Sequence, residues 1–211
     1  MEFQAARANM VESQVRTNDV TDVEIQAAMR RVERERFCAP DRAFSAYADL
    51  EPEIVPGRWL MRARDIGKLL QLARPRAGET ALAIAAPYAA AVLAEIGLKV
   101  TAQEADPKAA ALLSPALDDY GVDLVIADFA KPAKRKAGYD LIVCEAAVAR
   151  LPDAWVAALS ESGRLAAVER NGPVGRGRLW MKTAAGASHG AGFDATPPYL
   201  PGFEPQVAFQ F

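Results

Sequence analysis

From Gly78 onward the apolar positions fall into short blocks whose period alternates between that of a strand and that of a helix. Thr80–Ala86 is a continuous small-apolar run and predicts a first strand. Tyr88–Ile96 predicts a helix, with Pro87 suited to its first turn and Gly97 to its stop. Lys99–Glu104 predicts a second strand, and Asp106 is placed to cap a helix through Leu113, beyond which Pro115 is expected to disturb it. Strands are predicted at Val122–Ala127, Tyr139–Glu145 and Arg164–Glu169, with a helix over Pro152–Glu161 ended by Gly163. Leu179–Thr183 and Gln206–Phe211 predict a late antiparallel pair, and the Gly-, Ala- and Pro-rich tract Ala184–Pro201 predicts a long loop between them. Strands that are apolar throughout imply a sheet buried on both faces.

Before Gly78 the pattern is helical and irregular. Val23, Ala27, Ala28 and Val32 recur at helical spacing after the cap candidates of Asn18–Asp22, and Ile66, Leu69, Leu70 and Ala73 mark one face of a second helix over Asp65–Ala73. Pro40, Pro52 and Pro56 break the stretch between them. The expected organisation is a helical region over residues 1–75 and an α/β sheet over residues 76–211, forming one compact unit.

Composition narrows the function classes. The 211 residues are 51% hydrophobic and 25% charged, and 25 Lys and Arg against 27 Asp and Glu leave a net charge of −2. That balance argues against a general nucleic-acid binder, which needs a basic surplus to neutralise phosphates. No apolar run is long enough for a membrane helix, and the N-terminus lacks a basic-then-apolar signal pattern, so a cytoplasmic protein without a membrane partner is expected. Cys38 and Cys144 lack metal-ligand spacing, and Cys144 lies in an apolar run that predicts a buried thiol. The single histidine, His189, lies in a Gly- and Ala-rich stretch with no evident catalytic partner.

Candidate chemistry sits where ligands bind in such sheets, beyond the carboxyl ends of the strands. Glu104 ends the second strand, where a carboxylate accepts hydrogen bonds from a ribose diol; the plainer alternative is a solvated acid, with Asp106 acting only as a cap. Asp128 ends the third strand and is placed to face an adenine amino group, with Phe129 beside it to stack; a loop acid and a core aromatic are the alternative. Glu145 ends the fourth strand, either as a crevice carboxylate or as the partner of an arginine such as Arg150. The basic run Lys131–Lys136 reads as a solvated loop or a partner contact, and Gly172–Arg178 as a hairpin-like loop or an anion-binding nest.

Three segments carry a resemblance to a known family: Asn9–Arg16, Ala27–Phe37 and Ala46–Asp49, supported by Tyr88–Ala94, Tyr139–Val143 and Ser162–Leu165. Over nearly its whole length the chain resembles the protein-L-isoaspartate O-methyltransferases, in a short bacterial form. The resemblance implies a class I methyltransferase-like (Rossmann-like) fold: a seven-stranded, mostly parallel sheet with helices on both faces and a substrate-side helical region at the N-terminus. It also implies S-adenosylmethionine as cofactor and isoaspartyl-containing proteins as substrates.

Glu104 and Asp128 match the family's ribose-side and adenine-side acids, with Glu145 at the crevice. The family's first motif, an acid followed by spaced glycines, corresponds here to Ala81, Ala83, Ala85 and Pro87, so Ala83 and Ala85 occupy the cofactor loop. The family's Ser-Gln-Pro triplet over the substrate carboxylate corresponds to Met61, Arg62 and Ala63, which leaves no catalytic hydroxyl. Added methyl groups and a missing N–H impair such a loop, so binding of S-adenosylmethionine is expected to be weak or absent. Three readings stand open on the sequence: an impaired but working methyltransferase, a catalytically silent member that binds an unidentified protein partner or acts as a scaffold, and a sheet whose altered crevice takes another small molecule.

Overall fold

The structure is a computed structural model, and it describes residues 3–183, 186–190 and 192–206. The helical region opens with α1 (Phe3–Met10), which runs on through a π turn at Val11–Val15, and continues with α2 (Val23–Arg31). Asp22 caps α2, its carboxylate accepting from the N–H groups of Glu24 (2.9 Å) and Ile25 (3.2 Å). A small hairpin follows, β1 (Glu53–Val55) and β2 (Arg58–Trp59), then α3 (Ala63–Ala73). The Pro56-Gly57 pair makes the hairpin turn, with Gly57 at φ +85°, a conformation that favours glycine.

The sheet region then runs β3 (Thr80–Ile84), α4 (Pro87–Ile96), β4 (Lys99–Glu104), α5 (Pro107–Asp119), β5 (Asp123–Ile126), β6 (Tyr139–Val148), α6 (Asp153–Ala157), β7 (Leu159–Arg170), β8 (Gly175–Thr183), β9 (Gly186–His189) and β10 (Phe193–Ala195). The strand order is β10-β8-β7-β6-β3-β4-β5, with β9 also on β8. The five strands from β7 to β5 are parallel, and β8 turns back antiparallel to β7. Because β9 and β10 pair with different halves of β8, eight strands fill the seven expected places.

The apolar runs become strands because both sheet faces are covered. Ala81, Ala83, Leu141 and Val143 face a core shared with α1–α5, while Leu82, Ile84, Ile142 and Cys144 face a second core. The second core is closed by α6, through Trp155, and by the chain around Leu200 and Phe203. Cys38 and Cys144 are both free and buried, and burial pushes their thiols up, to about 11 and about 12.

Four sequence expectations change. The helix capped by Asp106 does not stop near Pro115 but continues to Asp119: Leu113, Ala116 and Leu117 are buried against the sheet, and the proline ring faces solvent. The helix expected over Pro152–Glu161 is only five residues long, because Leu159 already pairs with Tyr139 and opens β7. Gly163 is therefore not a helix stop. It lies in β7 at a bulge where a Cβ would come within 2.5 Å of the Tyr139 carbonyl oxygen. The tract 184–201 is not a plain loop, since β9 and β10 take up the free edge of β8. Residues 175–178 belong to β8, with Arg176 paired to Asp194 and Arg178 to Glu169, so they form no nest. The strand expected over Gln206–Phe211 falls, after Gln206, outside the described residues.

Ala85 follows β3 at φ +51°, in the left-handed region, where a glycine is more comfortable. Ala83, one turn of the pleat earlier, has an ordinary strand backbone and is fully buried. The two alanines are therefore expected to respond differently to glycine. Ala85→Gly should change stability by less than about 0.5 kcal/mol, because relief of the left-handed strain offsets lost burial and chain entropy. Ala83→Gly should cost roughly 1–2 kcal/mol by urea denaturation. Equal losses at both sites would contradict the strain at Ala85.

Candidate functional site

The crevice at the carboxyl ends of β3, β4, β5 and β6 gathers the predicted acids, but it also gathers two arginines that the motif reading passed over. Glu104 is buried at the end of β4. Arg58, presented by the Pro56-Gly57 turn, reaches 46 residues along the chain to meet it. The guanidinium donates twice to the carboxylate, Nη2 to Oε2 at 2.8 Å and Nε to Oε1 at 3.4 Å, and Nη2 also reaches the Ala85 carbonyl at 3.3 Å. Glu104 Oε1 further accepts from the N–H groups of Ala105 (2.9 Å) and Asp106 (3.1 Å). The Arg58 guanidinium lies 5.6 Å from the Phe129 ring centroid. Burying such a pair costs several kcal/mol per ion, and here the cost is offset by near-complete hydrogen bonding and a bidentate fit.

The second arginine, Arg34, is fully buried and faces Glu145 at 3.9 Å. Its Nε donates to the Ala46 carbonyl at 2.8 Å, its Nη2 to the Met61 carbonyl, and its guanidinium lies 4.6 Å from the centroid of the Tyr88 ring. Glu145 therefore pairs with Arg34 and not with Arg150. Its other oxygen accepts from the Ala89 N–H at 3.3 Å, so this carboxylate occupies the N-terminus of α4. Burial pushes the Glu145 carboxyl up to about 7, against the pull of Arg34. Arg34 Nη1, Glu145 Oε1 and Tyr88 Oη have no hydrogen-bond partner, so this pair is less completely satisfied than the first.

The remaining candidates are placed as follows. Ala83 lies within β3 and Ala85 at its exit, both buried. Asp128 is exposed, its carboxylate accepting from Ala130 N–H at 2.9 Å. Phe129 is buried and its carbonyl takes the Trp155 indole N–H at 2.7 Å. Met61 is fully buried; Arg62 is half-buried and paired with Glu51 at 2.8 Å, and Arg64 with Asp49 at 3.3 Å. His189 lies beside the Trp180 ring and within hydrogen-bond reach of Arg178, away from the crevice acids. A cavity of about 530 Å³ remains open between Arg58, Glu104, Asp106, Asp128, Phe129 and Phe203. Among the described residues no group of His, Cys, Asp or Glu is arranged to hold a metal ion.

A signal for Arg58 exists in the sequence, though it is not a motif; Arg34 has none. Arg58 is a lone cation between a Pro-Gly turn and the apolar run Trp59-Leu60-Met61, whereas Arg34 lies among the charges of the stretch Arg30–Arg36. A long cation at the lip of an apolar segment needs a buried acid, and the strand-end glutamates are the nearest supply.

Residues 5–181 match the family described as protein-L-isoaspartate(D-aspartate) O-methyltransferase (PCMT). A protein-L-isoaspartate O-methyltransferase from Methylorubrum populi is 33% identical over 186 residues, covering 86% of this chain and 87% of its own. One from Aeropyrum pernix is 33% identical over 172 residues, covering 77% of this chain and 66% of its own. Among solved structures, a protein-L-isoaspartate O-methyltransferase superposes with a TM-score of 0.78 at 19% identity, covering 93% of this chain and 66% of its own. A Plasmodium falciparum protein solved with S-adenosyl-L-homocysteine superposes with a TM-score of 0.77 at 15% identity, covering 92% and 97%. The fold is that of the class I methyltransferases, and the chain belongs to the protein-L-isoaspartate(D-aspartate) O-methyltransferase family, whose members use S-adenosylmethionine.

Proposed function

We propose that this chain is a catalytically silent member of its family, in which the family reaction, methylation of isoaspartyl carboxylates by S-adenosylmethionine, has been lost and the surface carries the role as a protein-binding module. One observation carries the reading: both oxygens of Glu104, the acid matched to the cofactor's ribose, are held by Arg58 and by backbone N–H groups. A ribose diol needs those acceptors free. The residues present do not fit the cofactor at the other end of the crevice either. Glu145 holds the N-terminus of α4, Pro87 offers no N–H there, and a buried carboxylate in that position repels a cofactor carboxylate. On the substrate side Met61 is fully buried and has no hydroxyl.

Calorimetry with S-adenosylmethionine is expected to give no binding tighter than about 0.1 mM, and methyl transfer to an isoaspartyl peptide is expected at background. A micromolar constant, or turnover lost on Glu104→Ala, would overturn the reading in favour of a working enzyme.

The Arg58–Glu104 pair makes its own prediction. Arg58→Met strands a buried carboxylate and should cost about 3 kcal/mol in urea denaturation. Adding Glu104→Leu should recover most of that loss, because the desolvation penalty goes with the charge. If the double variant is as unstable as the sum of the two single ones, the two side chains are not coupled.

Glu145 gives a pH dependence. Its folded carboxyl is raised to about 7 from an ordinary value near 4.5, so the folded state binds the proton more tightly than the unfolded chain. Its contribution to stability is therefore greatest below pH ~4.5 and is lost as pH rises through about 7. Asp140, held below its usual range chiefly by the Thr80 N–H, acts in the opposite sense and only in more acidic solution. Between pH 5 and 8 the protein should lose about 2–3 kcal/mol relative to a Glu145→Gln variant. Parallel stability curves for the two proteins over that range would refute the assignment.

A further inference from the structure

The opposite edge of the sheet holds a second cavity, of about 480 Å³, at the amino ends of the parallel strands. Its wall includes the first residue of four strands: Thr80 of β3, Lys99 of β4, Asp123 of β5 and Tyr139 of β6. Lys134 and Arg135, from the basic run Lys131–Lys136, close its rim. Elsewhere in the chain the arginines are largely used internally, against Glu33, Glu35, Glu104, Glu79 and others. The side chains of Lys99, Lys134 and Arg135 make no hydrogen bond or ion pair among the described residues. One exposed acid, Asp123, shares their wall, and Asp140 behind it accepts from Thr80 (2.8 and 3.0 Å) and Ser160 (3.2 Å) and also feels the charge of Arg135.

The loop that carries the cations is anchored. Buried Gln103 donates to the carbonyls of Asp128 (2.8 Å) and Lys131 (3.2 Å) and accepts from Ala133 N–H at 2.8 Å. At the other end Gly138 sits at φ +71°, where a Cβ would fall 2.5 Å from Ser160 N, so the chain is pressed against β7. Between these anchors Lys134 and Arg135 are held at the rim of the cavity, a rim shared with a neighbouring hollow of about 520 Å³ against Ala154 and Ala158. The exposed donors of Lys134 and Arg135 are available to a bound anion. The rest of the wall is mixed: the apolar Leu98 and Val100, and the hydroxyl of Thr101 beside Tyr139.

We propose that this cavity binds a phosphorylated, hydroxyl-bearing small molecule of the sugar-phosphate class, with its phosphate on Lys99, Lys134 and Arg135 and its hydroxyls toward Asp123 and Thr101. The cavity is large enough for more than a free phosphate, since small-molecule sites begin at roughly 300 Å³. The planar guanidinium of Arg135 supplies the two-pronged donor that phosphate oxygens favour. The site is separate from the crevice and does not depend on whether S-adenosylmethionine binds there.

The test is a titration of the isotope-labelled full chain by amide NMR, in about 0.1 M salt, with ribose 5-phosphate, inorganic phosphate and ribose in separate arms. The expected result is saturable shifts at Lys99, Lys134 and Arg135, with ribose 5-phosphate binding at least about tenfold more tightly than either fragment. The combined variant Lys134→Glu with Arg135→Glu should weaken that binding at least about tenfold while leaving the unfolding temperature unchanged, since both side chains are exposed. Three results would each overturn the proposal. One is an equal response to inorganic phosphate, which indicates a general anion patch. Another is binding that survives the charge reversal. The third is displacement of the sugar phosphate by a glutamate-rich peptide at lower concentration, which assigns the loop to an acidic protein partner.

Discussion

A carboxylate buried at the end of a parallel strand has to be neutralised, and the manner of its neutralisation governs the rest of the crevice. Glu104 lies at the strand end where an open crevice would offer its oxygens to a ligand. Here Arg58 supplies the counter-charge from within the chain. The Pro56-Gly57 turn aims that arginine, Phe129 lies under its guanidinium, and the carbonyl of Ala85 takes one of its protons. The turn after β3 is thereby drawn into the same network, and the left-handed Ala85 sits at its centre. One ion pair connects the N-terminal hairpin, the β3 turn and the ends of β4 and β5.

Arg34 and Glu145 repeat the arrangement less completely at the other end of the crevice. Both pairs join a residue of the N-terminal region to a sheet glutamate, Glu104 at the end of β4 and Glu145 at the bulge inside β6, which runs on to Val148 and so does not end at Glu145 as expected. The two regions are coupled through charge as well as through their shared apolar core. The difference lies in satisfaction. The Glu104 carboxylate finds partners for both oxygens, while the second cluster leaves three polar atoms without a hydrogen bond. Burial raises the Glu145 carboxyl toward neutrality, and Arg34 and the Ala89 N–H offset it only in part.

The strand-helix alternation was legible because buried parallel strands leave apolar runs, and β3 and much of β6 are such strands. The caps at Asp22 and Asp106 were legible because their chemistry is local. Legibility failed where a distant contact outweighed a local preference. Burial of Leu113, Ala116 and Leu117 carries α5 through Pro115. Pairing of Leu159 with Tyr139 ends α6 early, and the open edge of β8 turns part of a Gly- and Ala-rich stretch into β9 and β10. At the crevice, motif comparison located Glu104 and Glu145 but not their partners. Arg58 is 46 residues from Glu104, and no local pattern encodes a contact of that separation.

The altered motif and the internal arginine belong together physically. After β3, Ala85 and Ala86 add methyl groups and Pro87 lacks an N–H, and a ligand that relied on that turn would leave the strand-end acid unpaired. An unpaired buried carboxylate is costly, and a cation from the adjoining hairpin removes that cost without any change in the sheet. The reverse order is unfavourable, since an arginine seated on Glu104 competes with any ligand for the same oxygens. Restoring glycines alone therefore leaves Glu104 engaged by Arg58. On the proposed reading, Arg58 and Glu145 stand in the way of the family's cofactor as much as the altered loop does.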